Sequence, residues 1–256
     1  MSSITDSRPI ELDVSSNGQN YLDFANTQLL VKAKITRRNG DDTTDADHVG
    51  GFNLFLHSQF QQVNVSLNDV QVSQSAGTYA YRAYIESLLS YGPQAKTSQL
   101  TAALYYMDTA GNMDRSNPDY ANAGERNYGL QKRASFTDRG VTVDMIGRIH
   151  SDIFFHDRYM LNEFNFKVRL VRNKDSFCFM SGEANPSYKD KLISAVLLVR
   201  KVQLSPSVFL AHAKALESGL AKYRSSESSE RPILSRQATW TAITRNCLPG
   251  NSRRGS

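Results

Sequence analysis

The sequence has few of the features that mark secreted, membrane-spanning or disulfide-stabilised proteins. Only two of its 256 residues are cysteine, Cys178 and Cys247. Two cysteines make no disulfide framework and favour a reducing compartment. No apolar run approaches the ~18 residues needed to cross a bilayer, and the N-terminus MSSITDSRPIELDV has no apolar signal core. We therefore expect a protein that is neither exported nor embedded in a membrane.

Motifs that carry common chemistries are also missing. There is no GxGxxG, no GxxxxGK(S/T) phosphate loop and no GxSxG nucleophile elbow. Cys178 lies in the apolar run FCFM with no base placed to activate it, so we expect a small buried hydrophobe. We therefore predict that the protein is not an enzyme, that it uses no cofactor, and that it has no catalytic, cofactor-binding or metal-binding residues.

The segment HSDIFFHD holds the densest group of residues able to bind a metal or move protons. If it were a strand, His150, Asp152 and His156 would share a face and could form a metal site or a general base. Their spacing matches no common zinc motif, so we expect polar contacts at a strand end instead. His57, on an amphipathic segment, is predicted to be packed or hydrogen-bonded.

The positive charge of the chain is concentrated at its C-terminal end. Residues 224–256 contain six Arg and two Glu, a net +4 of the chain's +5, which leaves a net +1 for residues 1–223. The alternating run at 164–170 places basic side chains on one strand face. That face could meet packaged DNA, although an ordinary solvated sheet face is the favoured interpretation. Its members are Lys167, Arg169 and Arg172, with Arg200 and Lys201 on another strand.

The apolar residues are spaced for strands more often than for helices. Residues 63–67 alternate between apolar and polar, and Asn68-Asp69 supplies a turn before a second alternating run, which predicts a β-hairpin. Helical spacing recurs in four short segments. The predicted strands are 10–14, 29–35, 63–67, 70–72, 141–145, 164–170 and 192–204. The predicted helices are 52–60, 79–89, 98–104 and 207–216, the last with Pro206 at its start.

Residues 108–140 are rich in Asn, Asp, Gly and Arg and have weak periodicity. We interpret them as a long surface excursion with a short strand near Ala134–Phe136. Many short strands, a few short helices and long polar loops predict an all-β fold, a sandwich of the jelly-roll type. An α/β fold is disfavoured because strands and long helices do not alternate.

Several collinear segments are similar to one family of viral proteins. The sequence resembles the double jelly-roll major capsid proteins of Polinton/Maverick elements and related adintovirus-like viruses. Copies lie in animal genomes, where many are called uncharacterised proteins. The resemblance covers roughly residues 10–223 and is carried by Phe52–Ser58, Val63–Asn68, Tyr79–Glu86, Ser98–Leu104, Val143–Phe154 and Lys201–Lys214.

The resemblance implies a structural, non-catalytic role in a capsid. In the family, two jelly rolls per chain and three chains per capsomer form a pseudo-hexagonal unit of an icosahedral shell. The implied partners are copies of the chain itself, a minor capsid protein and, as packaged genome only, nucleic acid; no membrane is implied. The implied location is the virion, or the cell interior for a genome-integrated remnant. The implied domains are a flexible arm (1–9), the first jelly roll (10–204), a connector helix towards a missing second jelly roll (205–223) and a tail (224–256).

The composition changes after Tyr223. The tail is Ser- and Arg-rich, has no Lys and holds the single Trp of the chain, which is typical of a disordered segment. Read in the frame displaced by two bases, the codons from Pro232 onward permit PIPSGNMDSNHEKLFTGQL, which is similar to the continuation of the family. We therefore hypothesise that residues 224–256 are translated out of frame and that the chain is truncated after its first jelly roll.

The alternative interpretation is a stand-alone β-sandwich binding module, either lectin-like or a domesticated host protein. Jelly rolls also serve as lectins and cupins. A cupin needs a His/Glu metal cluster, which the sequence does not offer. A lectin needs loop aromatics near Asp and Asn side chains. The candidates are Tyr105, Tyr106, Tyr120 and Tyr128, near Asp108, Asn112, Asn117 and Asp119.

Overall fold

A computed structural model describes residues 8–15, 20–73, 77–161, 164–218, 221–226 and 237–241. Strands outnumber helices, and the helices are short. The strands are β1 (Ile10–Val14), β2 (Asn20–Arg37), β3 (Val49–Gly51), β4 (Phe60–Leu67), β5 (Val70–Ser73), β6 (Val143–Gly147), β7 (Phe166–Arg172), β8 (Phe179–Ser181), β9 (Tyr188–Gln203), β10 (Lys222–Ser226) and β11 (Gln237–Thr241). The α-helices are α1 (Phe55–Ser58), α2 (Tyr79–Ser90), α3 (Pro93–Thr97), α4 (Tyr128–Thr137), α5 (Asp175–Cys178) and α6 (Pro206–Ser218). Short 3-10 helices lie at Gln99–Ala103, Ala123–Glu125, Asp138–Gly140 and Asp152–Phe155.

Two antiparallel sheets form the body of the protein. One has the strand order β1-β7-β4-β5, and the other has the order β6-β2-β9. Smaller two-stranded pairings join β3 to β8 and β10 to β11. The long strands β2 and β9 pair along most of their length, with register shifts at two places.

The core lies between the two main sheets. Phe24 of β2 and Phe166 of β7 have ring centroids 4.4 Å apart, and the ring of Phe154 lies 5.8 Å from each of them. Alternate residues of β2, including Leu29 and Val31, are fully buried, as expected where one face of a strand packs on the core. These features confirm the predicted fold class: an all-β jelly-roll sandwich with short helices and long loops.

The predicted hairpin is present, and its turn explains its register. Asn68 and Asp69 have φ values of 47° and 64°. Positive φ at both turn positions gives a turn whose twist matches that of the flanking strands, and Asn and Asp tolerate this conformation well. Strands are confirmed at the other predicted places except near Ala134–Phe136, and β2 and β9 are longer than predicted.

Two predicted helices near the hairpin turned out shorter than expected. The helix predicted at 52–60 is the four-residue α1, because Leu54 has a left-handed φ of 61° before it and Phe60 already belongs to β4. The segment predicted as a helix at 98–104 is the 3-10 helix Gln99–Ala103. The residue that follows it, Leu104, again has a positive φ. The predicted helix at 79–89 is confirmed as α2.

The strand predicted near Ala134–Phe136 is wrong, because these residues belong to α4. Asn127 caps this helix, since its side-chain oxygen accepts a hydrogen bond from the backbone N–H of Leu130. Leu130 and Arg133 are buried, so this part of the segment 108–140 is not a surface excursion. Gly50 permits the close packing, because a Cβ there would lie 2.9 Å from that of Ala134.

The predicted helix at 207–216 is confirmed as α6, with Pro206 at its first position. The helix and the residues after it contact the sandwich at two points. The His212 ring stacks on Tyr21, with centroids 5.9 Å apart. The Tyr223 hydroxyl donates to the carbonyl of Tyr159 (3.1 Å) and accepts from the N–H of Leu161 (3.3 Å).

The predicted arm and tail fall mostly outside the described residues. Residues 1–7, 227–236 and 242–256 are not among those that the structure describes. Within the predicted tail, the described part consists of residues 224–226 of β10 and the whole of β11, which pair antiparallel. The predicted division into four segments and the displaced reading frame therefore stay predictions.

Candidate functional site

The outer face of the β6-β2-β9 sheet carries an apolar patch beside charged side chains, since the Lys32–Asp144 ion pair (3.1 Å) lies on the same side. Strand alternation turns Leu30, Val196 and Leu198 away from the core, and Leu30 pairs with Val196 on one side and with Ile146 on the other. Val196 and Leu198 are 42% and 44% exposed. A register shift makes Ile193 an extra residue of β9, and it is equally exposed. We call Leu30, Ile146, Ile193, Val196 and Leu198 the outer β9 face.

Helix α6 extends this face towards one end of the sheet. Tyr21 pairs with Val202 on the outward side of β2 and β9 and carries His212 of α6. The helix buries little of itself: Phe209, Ala213 and Leu216 are half-buried. On the remaining surface Leu210 is 70% exposed. Apolar residues are therefore exposed both on the outer β9 face and on α6, with the outward Arg200 between them along β9, and exposed apolar patches mark interaction sites.

A second apolar stripe lies on the solvent side of α2. Tyr81, Ile85 and Leu89 follow one another at helical spacing and are exposed. Phe177 contacts this stripe, with its ring 5.4 Å from Tyr81 and 5.7 Å from Phe52. This stripe lies on one helix only. The apolar residues of the outer β9 face lie on a sheet, and those of α6 lie on the helix that follows it.

The predicted basic strand face is neutralised by β1. The Lys167 ammonium lies 3.6 Å from Asp13, and the Arg169 guanidinium lies 3.8 Å from Glu11. Both pairs are cross-strand neighbours in the β1–β7 ladder. The third member, Arg172, is almost buried and pairs with Asp190 at 2.8 Å. The favoured interpretation as an ordinary solvated sheet face is confirmed, because its cations are already paired.

Arg200, predicted to add to the basic surface, lies on the outward side of β9. Its guanidinium is 3.7 Å from the carboxylate of Asp23, its cross-strand neighbour. Lys201, the next residue, is exposed. The charge of this strand end is therefore also partly compensated by β2.

The HSDIFFHD segment does not form the shared strand face considered above. Strand β6 ends at Gly147, and a 3-10 helix spans Asp152–Phe155. His150 is buried and its ring nitrogen donates to Glu86 (2.8 Å), while Asp152 pairs with Arg82. In the described part of the chain, no group of three or more His, Cys, Asp or Glu side chains is placed to hold a metal ion.

His57 is packed and hydrogen-bonded, as predicted. Its Nδ1 lies 2.9 Å from the hydroxyl of Tyr79, and its ring meets that of His150 edge-to-face at 4.7 Å between centroids. Burial, and next the charge that His150 can carry, hold the pKa of His57 well below its ordinary value of 6.5. The spacing between these histidines in the sequence offered no signal for this contact.

Cys178 is the buried small hydrophobe that the sequence predicted. It has no exposed surface, and its thiol donates to the carbonyl of Lys174 (3.4 Å). Burial raises the pKa of the thiol, which keeps it protonated and unreactive. Cys247 lies outside the described residues.

The lectin-like candidates separate into two groups. Tyr105 is buried, Asp108 pairs with Arg133 (2.8 Å) and Asn112 donates to the carbonyl of Gly124 (3.0 Å), so these three serve the fold. Tyr106 is half-buried and Tyr128 is exposed beside the loop. An open concavity of about 630 Å³ remains, lined in part by Asp114, Arg115, Asn117, Asp119, Tyr120 and Asn122. Within it, Arg115 covers the Tyr120 ring at 5.3 Å and Asp119 contacts His48 at 2.8 Å.

These features define a jelly-roll sandwich with an exposed apolar patch on the outer face of one sheet. No protein-family model matches the sequence. An uncharacterized protein from Caenorhabditis elegans is 24% identical over 226 residues, which are 84% of this chain and 49% of the relative. The chain thus spans about half the length of the relative it matches.

Among solved structures, the crystal structure of the mavirus major capsid protein matches with a TM-score of 0.38 and 12% identity. The match covers 81% of this chain and 46% of that chain. The fold assignment does not depend on this match, because it rests on the strand pairing described above. Within the described ranges, no helix combines the length and the apolar character needed to cross a membrane.

Proposed function

We propose that this chain is the first jelly roll of a double jelly-roll major capsid protein of the Polinton/Maverick, adintovirus-like type. Its role is structural and non-catalytic. One observation carries the proposal: apolar side chains are exposed both on the last long strand, in the outer β9 face, and on α6, the helix that follows it. The sequence resemblance described above supplies the family.

The apolar surface has the character of a domain interface. Single exposed apolar residues are ordinary, but a row across a sheet continued by a helix marks a site that another domain or subunit covers. Fully burying one Val, Leu or Ile side chain contributes roughly 1.5–3 kcal/mol. Ile193, Val196 and Leu198 are 42–44% exposed and Leu210 is 70% exposed, so covering all four stabilises a docked domain by about two such increments. In the proposed full-length protein, the second jelly roll covers this surface.

Higher assembly follows from the same proposal. Three full-length chains form a pseudo-hexagonal capsomer, and capsomers with a minor capsid protein form the shell around a packaged genome. Large buried interfaces do this work, and reactive groups are not required. A genome-integrated remnant that encodes only the first half lacks the partner surface and does not assemble.

The tail is part of the proposal. We propose that residues 224–256 are read from a displaced frame after an insertion or deletion near the Tyr223 codon. The contacts of Tyr223 with the backbone of Tyr159 and Leu161 support this placement, because they tie the last residue before the displaced segment to the sandwich. Residues beyond the displacement have no selected function.

The test of this proposal first determines the coding sequence and then measures the assembly of the encoded chains. Genomic DNA and transcript are sequenced across the Tyr223 codon and far enough beyond it to encode a second domain of roughly 200 residues. The chain extended in the restored frame and the 256-residue chain are then compared by light scattering. We expect a monodisperse trimer from the extended chain and monomers or aggregates from the short one. A stop codon with no such frame, or a monodisperse trimer of the short chain, contradicts the proposal.

A double variant tests whether formation of the trimer depends on the outer β9 face. In the extended chain, Val196→Lys with Leu198→Lys places two charges in the proposed interface, and we expect the second jelly roll to separate from the first and the trimer to be lost. Val70→Lys is the matched control, because Val70 is exposed on β5 of the other sheet. If both proteins form the trimer, the outer β9 face is not the interface.

A stand-alone binding module is the second candidate, and the loop concavity favours it. Asn117, Asp119 and Tyr120 line that concavity, and amide, carboxylate and aromatic groups are those that bind sugars. A glycan array with the 256-residue chain tests this function. Binding that is lost in Asn117→Ala and retained in Val196→Lys moves the assignment from capsid to lectin.

A further inference from the structure

A buried polar cluster fastens helix α2 to the sandwich. His57 of α1 contacts the Tyr79 hydroxyl (2.9 Å), and the same hydroxyl accepts the backbone N–H of His150 (3.3 Å). The His150 ring donates to Glu86 of α2 (2.8 Å). Arg82 of α2 pairs with Glu86 and also with Asp152, which begins the 3-10 helix after His150. Both histidines are almost completely buried, at 2% and 3% exposure.

We propose that this cluster is an acid-sensitive latch, in which protonation of His57 releases α2 from the sandwich. We call it the histidine latch: His57, Tyr79, Arg82, Glu86, His150 and Asp152. The inference is independent of the proposed capsid function, because it rests on the geometry of these six residues. The next paragraphs give the hydrogen bonding, the facing charges and the sign of the pH dependence.

The hydrogen bonds favour a neutral His57. The Tyr79 oxygen accepts from the His150 N–H, so its own hydrogen is free to point at Nδ1 of His57. In this arrangement Nδ1 is an acceptor and carries no proton. A doubly protonated His57 would have to donate at Nδ1, and the Tyr79 hydrogen would lose this acceptor inside the core. An unsatisfied donor in a buried site is unfavourable.

The charges facing His57 do not compensate for a proton there. The titratable and charged groups around it are Tyr79, which contacts His57 directly, then Arg82 and Glu86 of α2 and His150 and Asp152 of the segment 150–155, with Arg148 over the Phe155 ring. Both carboxylates already pair with cations, since Glu86 contacts Arg82 and His150, and Asp152 contacts Arg82. A proton on His57 is also repelled by any charge on His150, whose ring lies 4.7 Å away in the same buried site.

The direction of the pH dependence follows from the pKa of His57 in the docked state and in the open state. Burial, together with His150, holds the pKa of His57 well below 6.5 while α2 is docked. Once α2 lifts, water reaches His57 and its pKa returns to about 6.5. The docked state is therefore fully favoured above pH ~6.5 and loses stability as the pH falls towards the depressed value. At pH ~5 the open population rises by up to roughly 30-fold relative to neutral pH.

Helix α2 is suited to local opening. Four of its residues are buried, namely Tyr79, Ala80, Ala83 and Ser87, and three of these are small. The opposite side carries the exposed apolar stripe of Tyr81, Ile85 and Leu89. A helix held by few buried apolar contacts opens at a lower free energy than the core strands do. Loss of the latch is therefore expected to free α2 before the sheets unfold.

The test is hydrogen exchange of the 256-residue chain at about pH 7.5 and about pH 5, with protection factors corrected for the intrinsic pH dependence of exchange. We expect the protection of residues 79–90 to fall about 10- to 30-fold at the lower pH, while residues 29–35 of β2 keep theirs. In His57→Gln, which retains an amide for Tyr79, the fall is expected to be less than about 3-fold.

Two further variants keep the latch falsifiable if His57→Gln folds poorly. Glu86→Gln removes a carboxylate of the cluster, so less negative charge offsets a proton on His57 and the fall in protection becomes steeper than in the unmodified chain. His48→Gln is the matched control, because His48 is a surface histidine, and it leaves the fall unchanged. Equal loss of protection in α2 and β2, or an unchanged pH dependence in both His57→Gln and Glu86→Gln, overturns the proposal.

Discussion

The two main sheets turn different outer faces to their surroundings. The outer face of β1-β7-β4-β5 carries charges that are paired across strands, such as Lys167 with Asp13 and Arg169 with Glu11. The outer face of β6-β2-β9 carries Leu30, Val196 and Leu198 instead. The second face also has ion pairs, such as Lys32 with Asp144 and Arg200 with Asp23. Its exposed apolar residues are the part that we propose as a docking surface.

The largest effect on the free energy of unfolding is expected from a substitution on the core side of β2. Leu29 and Leu198 are close to one another in the β2–β9 ladder but point to opposite sides. Leu29→Ala creates a cavity in the core and should lower the free energy of unfolding by about 2–5 kcal/mol. Leu198→Ala should change it by about 0.5 kcal/mol or less. Urea denaturation of both variants measures the difference; similar losses would mean that the outer face is already covered.

A smaller effect is expected on self-association of the 256-residue chain. Val196→Lys with Leu198→Lys removes the apolar surface, so we expect less aggregation at a given concentration while the free energy of unfolding changes by about 1 kcal/mol or less. Light scattering over a concentration series checks this. Lys167→Gln on the charged face is the control, and the comparison fails if that variant changes association as much as the double variant.

The smallest effect is expected from the paired charges themselves. Arg169 is half-exposed beside Glu11, and ion pairs of this kind contribute about 0–1 kcal/mol. Arg169→Gln should therefore lower the free energy of unfolding by less than about 1 kcal/mol, and added salt should shrink the difference. Thermal unfolding at low and high salt measures it. A loss that persists at high salt would show that the pair is more than a surface contact.

The strands could be predicted because their signal is local. Residues 63–67 and 164–170 alternate strictly between apolar and polar, and a period of two has one structural interpretation. The hairpin turn was also predictable, since Asn68-Asp69 is a residue pair that accepts positive φ. Neither inference needed any knowledge of distant contacts.

Helix α4 and the histidine latch could not be predicted because distant residues hold them. Arg133 donates to the carbonyl of Gly51, 82 positions away, and to that of Tyr106. His150 pairs with Glu86 across 64 positions. Such contacts satisfy buried polar groups only after the sheets have formed, and no local pattern encodes them. The capping Asn127 was the one local signal for α4, in a segment whose weak periodicity concealed it.

The pairing of the basic side chains of β7 with β1 could not be predicted for the same reason, because it depends on residues that are distant in the sequence. Alternation placed Lys167 and Arg169 on one side of β7, and it also placed Glu11 and Asp13 on one side of β1. The sequence does not reveal that these two strands are neighbours or which residues stand opposite each other. The pairing register decides whether a row of cations is a binding surface or a set of ion pairs.

Helix α6 and the residues after it are attached to the sandwich at two points. The His212 ring stacks on Tyr21 within the helix, and Tyr223 bonds to the backbone of Tyr159 and Leu161 beyond it. Its backbone has therefore already lost most of its conformational freedom before anything binds. A partner that docks on the helix does not have to order it, so the binding free energy retains more of what apolar burial contributes.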